Sequence, residues 1–171
     1  SIIENGVSTE RAIRDYSAGA AEKGSTLFMG KKLNGSEANN INDCMLISDI
    51  YELQSIQDNR AGRYMLTKDI DGAATKNWNS GAGFKTLFND SALKFMGVFD
   101  GAGYTISDLY INSSTGKYGG LFGVSAGKIA NVQLSGIDYN FTGGIEAIGG
   151  IVGYNVGSSG RLAGSVRNVQ A

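Results

Sequence analysis

Phe95–Leu134, FMGVFDGAGYTISDLYINSSTGKYGGLFGVSAGKIANVQL, contains a six-residue unit that the chain uses three times. Each copy has the pattern apolar-x-[Asp/Asn]-[Leu/Val]-x-apolar, where x is any residue. The copies start at Ile106, Ile129 and Val166, so they are offset by 23 and 37 residues. Irregular spacing of this kind is expected from repeats that stack on one another and differ in the length of their loops.

The third position of the unit predicts a bend in the chain. The last two apolar residues of a copy, such as Leu109 and Ile111, are two positions apart and therefore face one side of a short strand. The first apolar residue lies three positions earlier, so a bend must turn it to the same side. Aspartate and asparagine tolerate the left-handed backbone of such a bend. We therefore expect the three bend residues to lie above one another as a polar ladder: Asp108, Asn131 and Asn168.

Two glycine-bounded motifs predict a second set of corners. Gly120-Leu-Phe-Gly123 and Gly150-Ile-Val-Gly153 lie between the copies, and glycine suits tight turns because it has no Cβ. One unit cannot bury its apolar side alone, whereas several stacked units can, with backbone hydrogen bonds between neighbours about 4.8 Å apart. The sequence therefore predicts an all-β fold, a right-handed parallel β-helix (β-solenoid), because crossovers between parallel strands favour that hand.

Composition narrows the classes of function. The 171 residues are enough for one domain with a sizeable core. The net charge of −1, with scattered basic residues, disfavours nucleic acid and anionic membranes as partners. The single cysteine, Cys44, and the lack of histidine disfavour an internal disulfide and the common zinc clusters. No run of about 20 apolar residues is present, so we predict no membrane insertion, and no cofactor is indicated.

The chain divides into two parts at the sequence level. Residues 1–45 form an N-terminal segment, a possible cap or an earlier coil, in which Ser8 could start a short helix. Residues 46–171 form the β-solenoid repeat domain, which we interpret as a fragment of a longer protein. Within it Asp49 as N-cap and Glu52 three residues later predict a short helix over residues 49–58.

An ordered set of motifs covering about residues 46–171 resembles the repeat region of filamentous-haemagglutinin-like bacterial exoproteins. These are adhesins with GLUG-type motifs, exported by two-partner secretion. The resemblance implies a right-handed β-helix, cell adhesion in virulence, a secreted or cell-surface location and an outer-membrane secretion partner. One departure is the segment Thr86–Asn89, which replaces the proline-glycine step frequent in the family. The motifs are Ile50-Tyr-Glu-Leu-Gln, Gly62-x-Tyr-x-Leu66, Asp69-Ile-Asp71, Trp78-Asn79, Gly97-x-Phe-Asp-Gly101 and Gly120-Leu-Phe-Gly123.

These observations lead first to a non-enzymatic segment of a secreted bacterial adhesin. Its rigid scaffold would present loops such as Asp71–Gly83 and Asn112–Tyr118 to a glycan or protein on a host or neighbouring cell. The alternative is a non-catalytic accessory domain of a secreted bacterial protease or polysaccharide-active enzyme, since a similar repeat occurs in some immunoglobulin-cleaving metalloproteases. A weaker third hypothesis is a carbohydrate-active β-helix enzyme.

The acidic residues favour turns over catalysis. Paired carboxylates could act as acid and base on a polysaccharide, but the aspartates have glycine and loop neighbours, which favour hydrogen bonds to the backbone. The run Asp69-Ile-Asp-Gly72 is similar to the start of a calcium loop, yet Ser80 stands where the twelfth-position glutamate is needed. We therefore assign no catalytic and no metal-binding residue. The aspartates considered are Asp69, Asp71, Asp100 and Asp108.

Aromatic and asparagine residues supply the remaining candidates. Trp78, Asn79 and Tyr118 are candidate ligand-loop residues, because aromatic rings can stack on sugars. The alternative for Trp78 is burial against the side of the solenoid, which is the usual fate of tryptophan. Four Asn-x-Ser/Thr sequences are candidate glycosylation sites, at Asn34, Asn89, Asn112 and Asn140.

Overall fold

The computed structural model describes residues 2–13 and 44–156, together with the backbone of residues 15–16 and 165–167. Regular structure in these residues consists mostly of short β-strands, which confirms the prediction of an all-β chain. The helical elements are α1 (Ile50–Ser55) and three short 3₁₀ helices, Ile56–Asp58, Ala73–Asn77 and Asn79–Gly81. The strands are β1 (Ile3–Glu4), β2 (Val7–Ser8), β3 (Asp15–Tyr16), β4 (Met45–Ile47), β5 (Arg63–Leu66), β6 (Ile70–Asp71), β7 (Val98–Asp100), β8 (Thr105–Ser107), β9 (Tyr110–Ser113), β10 (Tyr118–Gly119), β11 (Phe122–Ser125), β12 (Lys128–Ala130), β13 (Gln133–Ser135), β14 (Asp138–Phe141), β15 (Ala147–Ile148), β16 (Val152–Asn155) and β17 (Ser165–Arg167).

The chain returns repeatedly to lie parallel beside an earlier part of itself. We call the segment between one such return and the next a circuit. The strands that begin the circuits, β5, β7 and β12, pair in parallel within a sheet of order β17-β12-β7-β5-β4-β3. At one edge of this sheet β3 pairs antiparallel with β4. The described circuits are residues 63–97 (first), 98–127 (second) and 128–156 (third).

The second and third circuits pair at every strand. Besides β7 with β12, the parallel pairs are β8 with β13, β9 with β14, β10 with β15 and β11 with β16. Val98 lies opposite Lys128 and Tyr110 opposite Asp138, so the two circuits are offset by 30 and 28 residues at these points. Because the strand order is the same in both, each part of one circuit lies against the corresponding part of the other.

Apolar side chains from successive circuits form columns in the core. The register places Ile70, Ile106 and Leu134 in one column, and these side chains are only 1%, 0% and 6% exposed. Burial of an aliphatic side chain of this size contributes roughly 1.5–3 kcal/mol relative to leaving it exposed. The columns therefore supply much of the free energy that keeps the circuits together. A second column consists of Met45, Tyr64, Phe99 and Ile129.

The polar ladder predicted from the three hexapeptides is wrong. Asp108 and Asn131 do adopt left-handed backbone, with φ of 55° and 58°. They occupy different corners, however, because Asp108 lies against Gly136 of the third circuit whereas Asn131 donates to Asp100 of the second, at 3.1 Å. Asn168 lies outside the described residues. The six-residue pattern describes a strand, a left-handed corner and the next strand, and such corners occur more than once in each circuit. The pattern therefore shows that a corner is present, but it does not show which corner of the circuit it forms.

The two glycine-bounded motifs, in contrast, do lie opposite each other. The amide of Phe122 donates to the carbonyl oxygen of Ile151 at 2.8 Å. Gly120 has a φ of 141°, and a Cβ there would lie 2.7 Å from the carbonyl oxygen of Gly149. Glycine is required at this corner because the backbones of two circuits come too close to admit a side chain.

The predicted helix is confirmed, and its cap uses the predicted residues. Asp49 Oδ1 accepts a hydrogen bond from the amide of Glu52 at 2.8 Å. Glu52 Oε1 reaches back to the amide of Ser48 at 2.8 Å, one residue earlier than a capping box requires. The buried apolar residues of α1 and the 3₁₀ turn after it are Ile50, Leu53 and Ile56.

Near the N-terminus the structure differs from the helix expected at Ser8. β1 and β2 form an antiparallel hairpin, and its turn residues Asn5 and Gly6 both have positive φ, 51° and 80°. Asn-Gly is a strong signal for a two-residue hairpin turn, and it outweighs the weak helical pattern. Ile2 anchors the hairpin, since only 1% of it is exposed. What was predicted for residues 17–43 lies outside the described part of the chain.

Replacement of Ile106 by alanine should remove the middle of a column. Because Ile106 is fully buried, we expect the free energy of unfolding to fall by about 2–5 kcal/mol in urea denaturation. The control is Ile148→Ala, since Ile148 is 56% exposed and its loss should change stability by no more than about 0.5 kcal/mol. Equal effects of the two substitutions would contradict the column.

The left-handed corner at Asp108 can be tested with two substitutions: glycine adopts left-handed backbone readily, whereas valine does not. Asp108 is exposed and has positive φ. Asp108→Gly should therefore change the free energy of unfolding by less than about 1 kcal/mol, whereas Asp108→Val should cost about 1–3 kcal/mol. Thermal denaturation of both variants measures the difference, and a valine variant as stable as the glycine variant would show that the corner is not left-handed.

Candidate functional site

Trp78 lies in the core and is not available to a ligand. It is fully buried, and its ring packs against Tyr51 and Phe84, with centroid distances of 5.2 and 6.3 Å. Its Nε1 donates to a carboxylate oxygen of Glu4 at 2.9 Å. The candidate role of Trp78 in a sugar-stacking surface is therefore wrong, and the alternative of burial is confirmed. The physical reason is that the N-terminal hairpin covers the loop and satisfies the indole nitrogen.

Asn79 also has a structural role. Its Oδ1 accepts from the amide of Ile3 at 3.1 Å, and its Nδ2 donates to the carbonyl oxygen of Gly83 at 2.8 Å. The side chain thus joins the N-terminal hairpin to the loop. Trp78 and Asn79 are thus held within the protein, whereas other residues of the loop Asp71–Gly83, such as Lys76 and Asn77, are exposed.

Tyr118, the third candidate residue, lies at the surface. Its ring stacks on that of Tyr154, with a centroid distance of 5.7 Å and an interplanar angle of 25°. Its hydroxyl donates to Glu146 Oε2 at 3.1 Å, and this hydrogen bond is the main reason why the pKa of Tyr118 is raised. Glu146 also pairs with Lys117 at 3.4 Å. The result is an aromatic pair in which Tyr154 is exposed and Tyr118 is half-buried, with the ion pair of Lys117 and Glu146 beside it.

Tyr154 was missed by the sequence reasoning. It is 47% exposed and lies one residue after Gly153, opposite Val124. The two glycine-bounded motifs are equivalent, and Tyr154 directly follows the second of them. This signal in the sequence could have placed Tyr154 one circuit after Tyr118. The contact between the two rings could not have been predicted, because it depends on the length of the loops between them.

A cleft of about 410 Å³ lies between residues 82–89 of the first circuit and 112–116 of the second. Six of its ten lining residues carry a hydroxyl or amide side chain. Among the described residues, Lys85 is the only charged side chain in the lining. The lining residues include Phe84, Thr86, Asn89, Asn112, Ser114 and Thr115.

Buried Gln54 fixes one wall of the cleft. Only 1% of Gln54 is exposed, and its amide group bonds both backbone groups of Lys85. The Lys85 amide donates to Oε1 at 2.8 Å, and Nε2 donates to the Lys85 carbonyl oxygen at 3.0 Å. If these hydrogen bonds broke, the buried amide of Gln54 would be left unpaired, at a cost of several kcal/mol. The wall at residue 85 is therefore held rigidly against α1.

Asn89 connects the cleft to the tyrosine pair. Its Oδ1 accepts from the amide of Tyr118 at 2.8 Å. A Cβ at Gly116, whose φ is +93°, would lie 2.2 Å from Asn89 Nδ2. The glycine therefore makes room for the amide of Asn89 at the point where the cleft meets the aromatic pair.

Three of the four aspartates considered for catalysis accept hydrogen bonds from backbone amides, and for Asp71 and Asp100 this confirms the turn interpretation. The same role for the Asp108 side chain stays a prediction, although its backbone does form a corner. Asp71 Oδ1 accepts from the Ala73 amide at 2.9 Å, and Asp69 Oδ1 from the Thr105 amide at 2.9 Å. Asp100 Oδ1 likewise accepts from the amide two residues on, at 2.8 Å. Within the described ranges, no three acidic, cysteine or histidine side chains come together in a way that could hold a metal ion.

The candidate glycosylation sites differ in accessibility. Asn112 and Asn140 are exposed and lie opposite each other on β9 and β14, with Asn140 Nδ2 donating to Asn112 Oδ1 at 3.1 Å. Asn89 is half-buried and bonded to the amide of Tyr118. Asn34 lies outside the described residues. The accessible sites are therefore Asn112 and Asn140, at one end of the cleft.

No helix among the described residues has the length and apolar character needed to cross a membrane.

Two known proteins are similar to part of this chain. Halomucin from Haloquadratum walsbyi is 39% identical over 132 residues, which is 72% of this chain and 1% of halomucin. A "Putative Gly-rich membrane protein" from Evansella cellulosilytica is 34% identical over 96 residues, which is 55% of this chain and 11% of that protein. The chain thus spans a small fraction of the length of either relative. No protein-family model matches the chain, and no solved structure matches it.

Proposed function

We propose that this chain is a non-enzymatic, rigid segment of a large surface protein, and that it holds exposed loops in place for attachment to other cells. The observation that carries the proposal is the parallel, in-register pairing of the second circuit with the third at all five of their strands. Each circuit is then one coil of a right-handed parallel β-solenoid.

The distribution of apolar residues supports the solenoid. Columns such as Ile70, Ile106 and Leu134 run from circuit to circuit, so a single coil cannot bury them without its neighbours. An open end of a solenoid exposes apolar columns and unpaired backbone, and needs a cover. In this chain α1 and the antiparallel strand β3 precede the first circuit and serve as that cover. Right-handed crossovers are by far the commoner kind between parallel strands.

The exposed loop and the long relatives support a role in attachment. The loop at residues 112–117 projects from the second circuit, and most of its residues are exposed. The two relatives are much longer than the part that this chain matches, and one of them is named as a membrane protein. A rigid rod that repeats along such a length would carry its loops at regular intervals away from the cell that makes it. Membership of the filamentous-haemagglutinin-like exoproteins, with export by two-partner secretion, stays a prediction from sequence motifs.

Duplication of one complete circuit tests the solenoid. Since Val98 lies opposite Lys128, a tandem copy of residues 98–127 adds one coil whose strands are in register with both neighbours. We expect this variant to unfold cooperatively and its longest dimension in small-angle X-ray scattering to grow by about 4.8 Å. The control is a tandem copy of residues 98–112, which adds half a circuit, breaks the columns and should not fold. An unfolded whole-circuit variant would rule out the solenoid.

Attachment can be measured with beads coated with the chain. Beads that carry the natural chain should adhere to at least one member of a panel of bacterial, archaeal and animal cells. Beads carrying a variant whose residues 113–117 are replaced by glycine and serine should adhere several-fold less, because the exposed loop is lost while the columns remain. Circular dichroism of the variant checks that the fold is kept. Failure of the natural chain to adhere to any of these cells would refute the proposed role.

A further inference from the structure

We propose that the tyrosine pair Tyr118–Tyr154 and the adjoining cleft form a binding site for a short, uncharged oligosaccharide of pyranose sugars. This inference rests on the proposed function, because it names the class of ligand that the attachment site takes. Asn89 links two features here, a partly exposed aromatic pair and a groove lined largely by residues with hydroxyl and amide groups.

The aromatic pair supplies the apolar half of the site. A pyranose ring presents C–H groups on its faces, and these pack well against the electron-rich face of an aromatic ring. Tyr154 covers one face of the Tyr118 ring. Asn89, which lines the cleft, accepts a hydrogen bond from the backbone amide of Tyr118. In the proposed complex a sugar ring packs on the aromatic pair and the next sugars extend past Asn89 into the cleft. Stacking of the two tyrosines and the hydrogen bond to Glu146 hold the platform still before any ligand arrives.

The cleft supplies the polar half. Asn89 uses its Oδ1 within the protein, and among the described residues its Nδ2 makes no hydrogen bond. The hydroxyl groups of Ser114 and Thr115 likewise have no partner in the described part of the chain, and both residues are exposed. These groups face water in the free protein, so sugar hydroxyls can replace the water without leaving a buried polar group unpaired. Phe84 adds an apolar surface to the same groove.

The charges disfavour a polyanionic ligand. Lys117 and Glu146 neutralise each other at 3.4 Å, and in the described part of the chain Lys85 is the only charged side chain that lines the cleft. A polyanion such as a nucleic acid needs several basic groups along its backbone, and the site does not offer them. The volume of about 410 Å³ lies within the range of roughly 300–1,000 Å³ that is common for small-molecule sites.

The site is also built to hold its shape. Gln54 fixes the backbone at Lys85 from the buried side. Asn89 ties the first circuit to the second through the amide of Tyr118. Because these bonds exist without a ligand, binding would lose little conformational entropy, which favours affinity for a weakly interacting molecule such as a sugar.

The test uses the full chain and a defined set of immobilised oligosaccharides. The set contains hexasaccharides of glucose, mannose, galactose and N-acetylglucosamine, with hexagalacturonate as the charged member, and binding is measured by surface plasmon resonance. We expect at least one uncharged hexasaccharide to bind. The double variant Tyr118→Ala/Tyr154→Ala should bind it at least about tenfold more weakly. The matched control is Tyr104→Ala, because Tyr104 is 38% exposed and lies at a different corner. The affinity of this variant for the oligosaccharide should equal that of the natural chain.

A second variant probes the cleft separately from the platform. Gly116→Ala places a Cβ against Asn89 Nδ2 and should weaken binding several-fold while both tyrosines remain. Circular dichroism checks that each variant is folded. If Gly116→Ala does not fold, Ser114→Ala with Thr115→Ala replaces it, since both side chains are exposed and line the cleft.

The outcomes separate this inference from the proposed function. Binding that is lost in the tyrosine double variant and kept in Tyr104→Ala supports the site. Equal binding by the natural chain and the double variant overturns it, as does binding of hexagalacturonate alone. If no oligosaccharide binds while coated beads still adhere to cells, the ligand is not a glycan of this set and the inference fails, yet the attachment role stands. If an oligosaccharide binds at this site and beads adhere to no cell, the site stands and the attachment role fails.

Discussion

The structure depends on one constraint, the in-register pairing of parallel strands from one circuit to the next. When backbone hydrogen bonds hold Phe99 opposite Ile129 and Ile106 opposite Leu134, all members of a buried column must be apolar, since otherwise the column would contain a buried polar group. The same constraint places backbone against backbone at Gly120. Columns, corners and close glycine contacts are thus three results of one register.

Two loops of the chain, the loop with Trp78 and the loop at residues 112–117, differ in what covers them. The first is covered by the N-terminal hairpin, whose Glu4 accepts from Trp78 Nε1, so its aromatic side chain becomes part of the core. No described segment covers the second, and Tyr118 at its end remains at the surface. Exposure of an aromatic residue therefore depends on what lies over the loop and not on the residue itself.

The candidate site arises between circuits and belongs to no single one. The cleft has one wall from the first circuit and one from the second, and the tyrosine pair joins the second to the third. In a longer array of similar circuits, sites of this kind could recur wherever two neighbouring loops have compatible lengths. The similarity to small parts of two much longer proteins fits such an arrangement.

The sequence by itself determined the all-β class, the helix over residues 49–58 with its cap at Asp49, the left-handed corners at Asp108 and Asn131, and the hydrogen bonds of Asp71 and Asp100 to the backbone of their turns. These features are local, because a few neighbouring residues fix the backbone or satisfy its hydrogen bonds. Only the tertiary structure decided which corner lies above which, that Trp78 is buried and Tyr154 exposed, and that the rings of Tyr118 and Tyr154 stack. Those outcomes depend on loop lengths and on a distant hairpin, which no spacing of residues along the chain reveals.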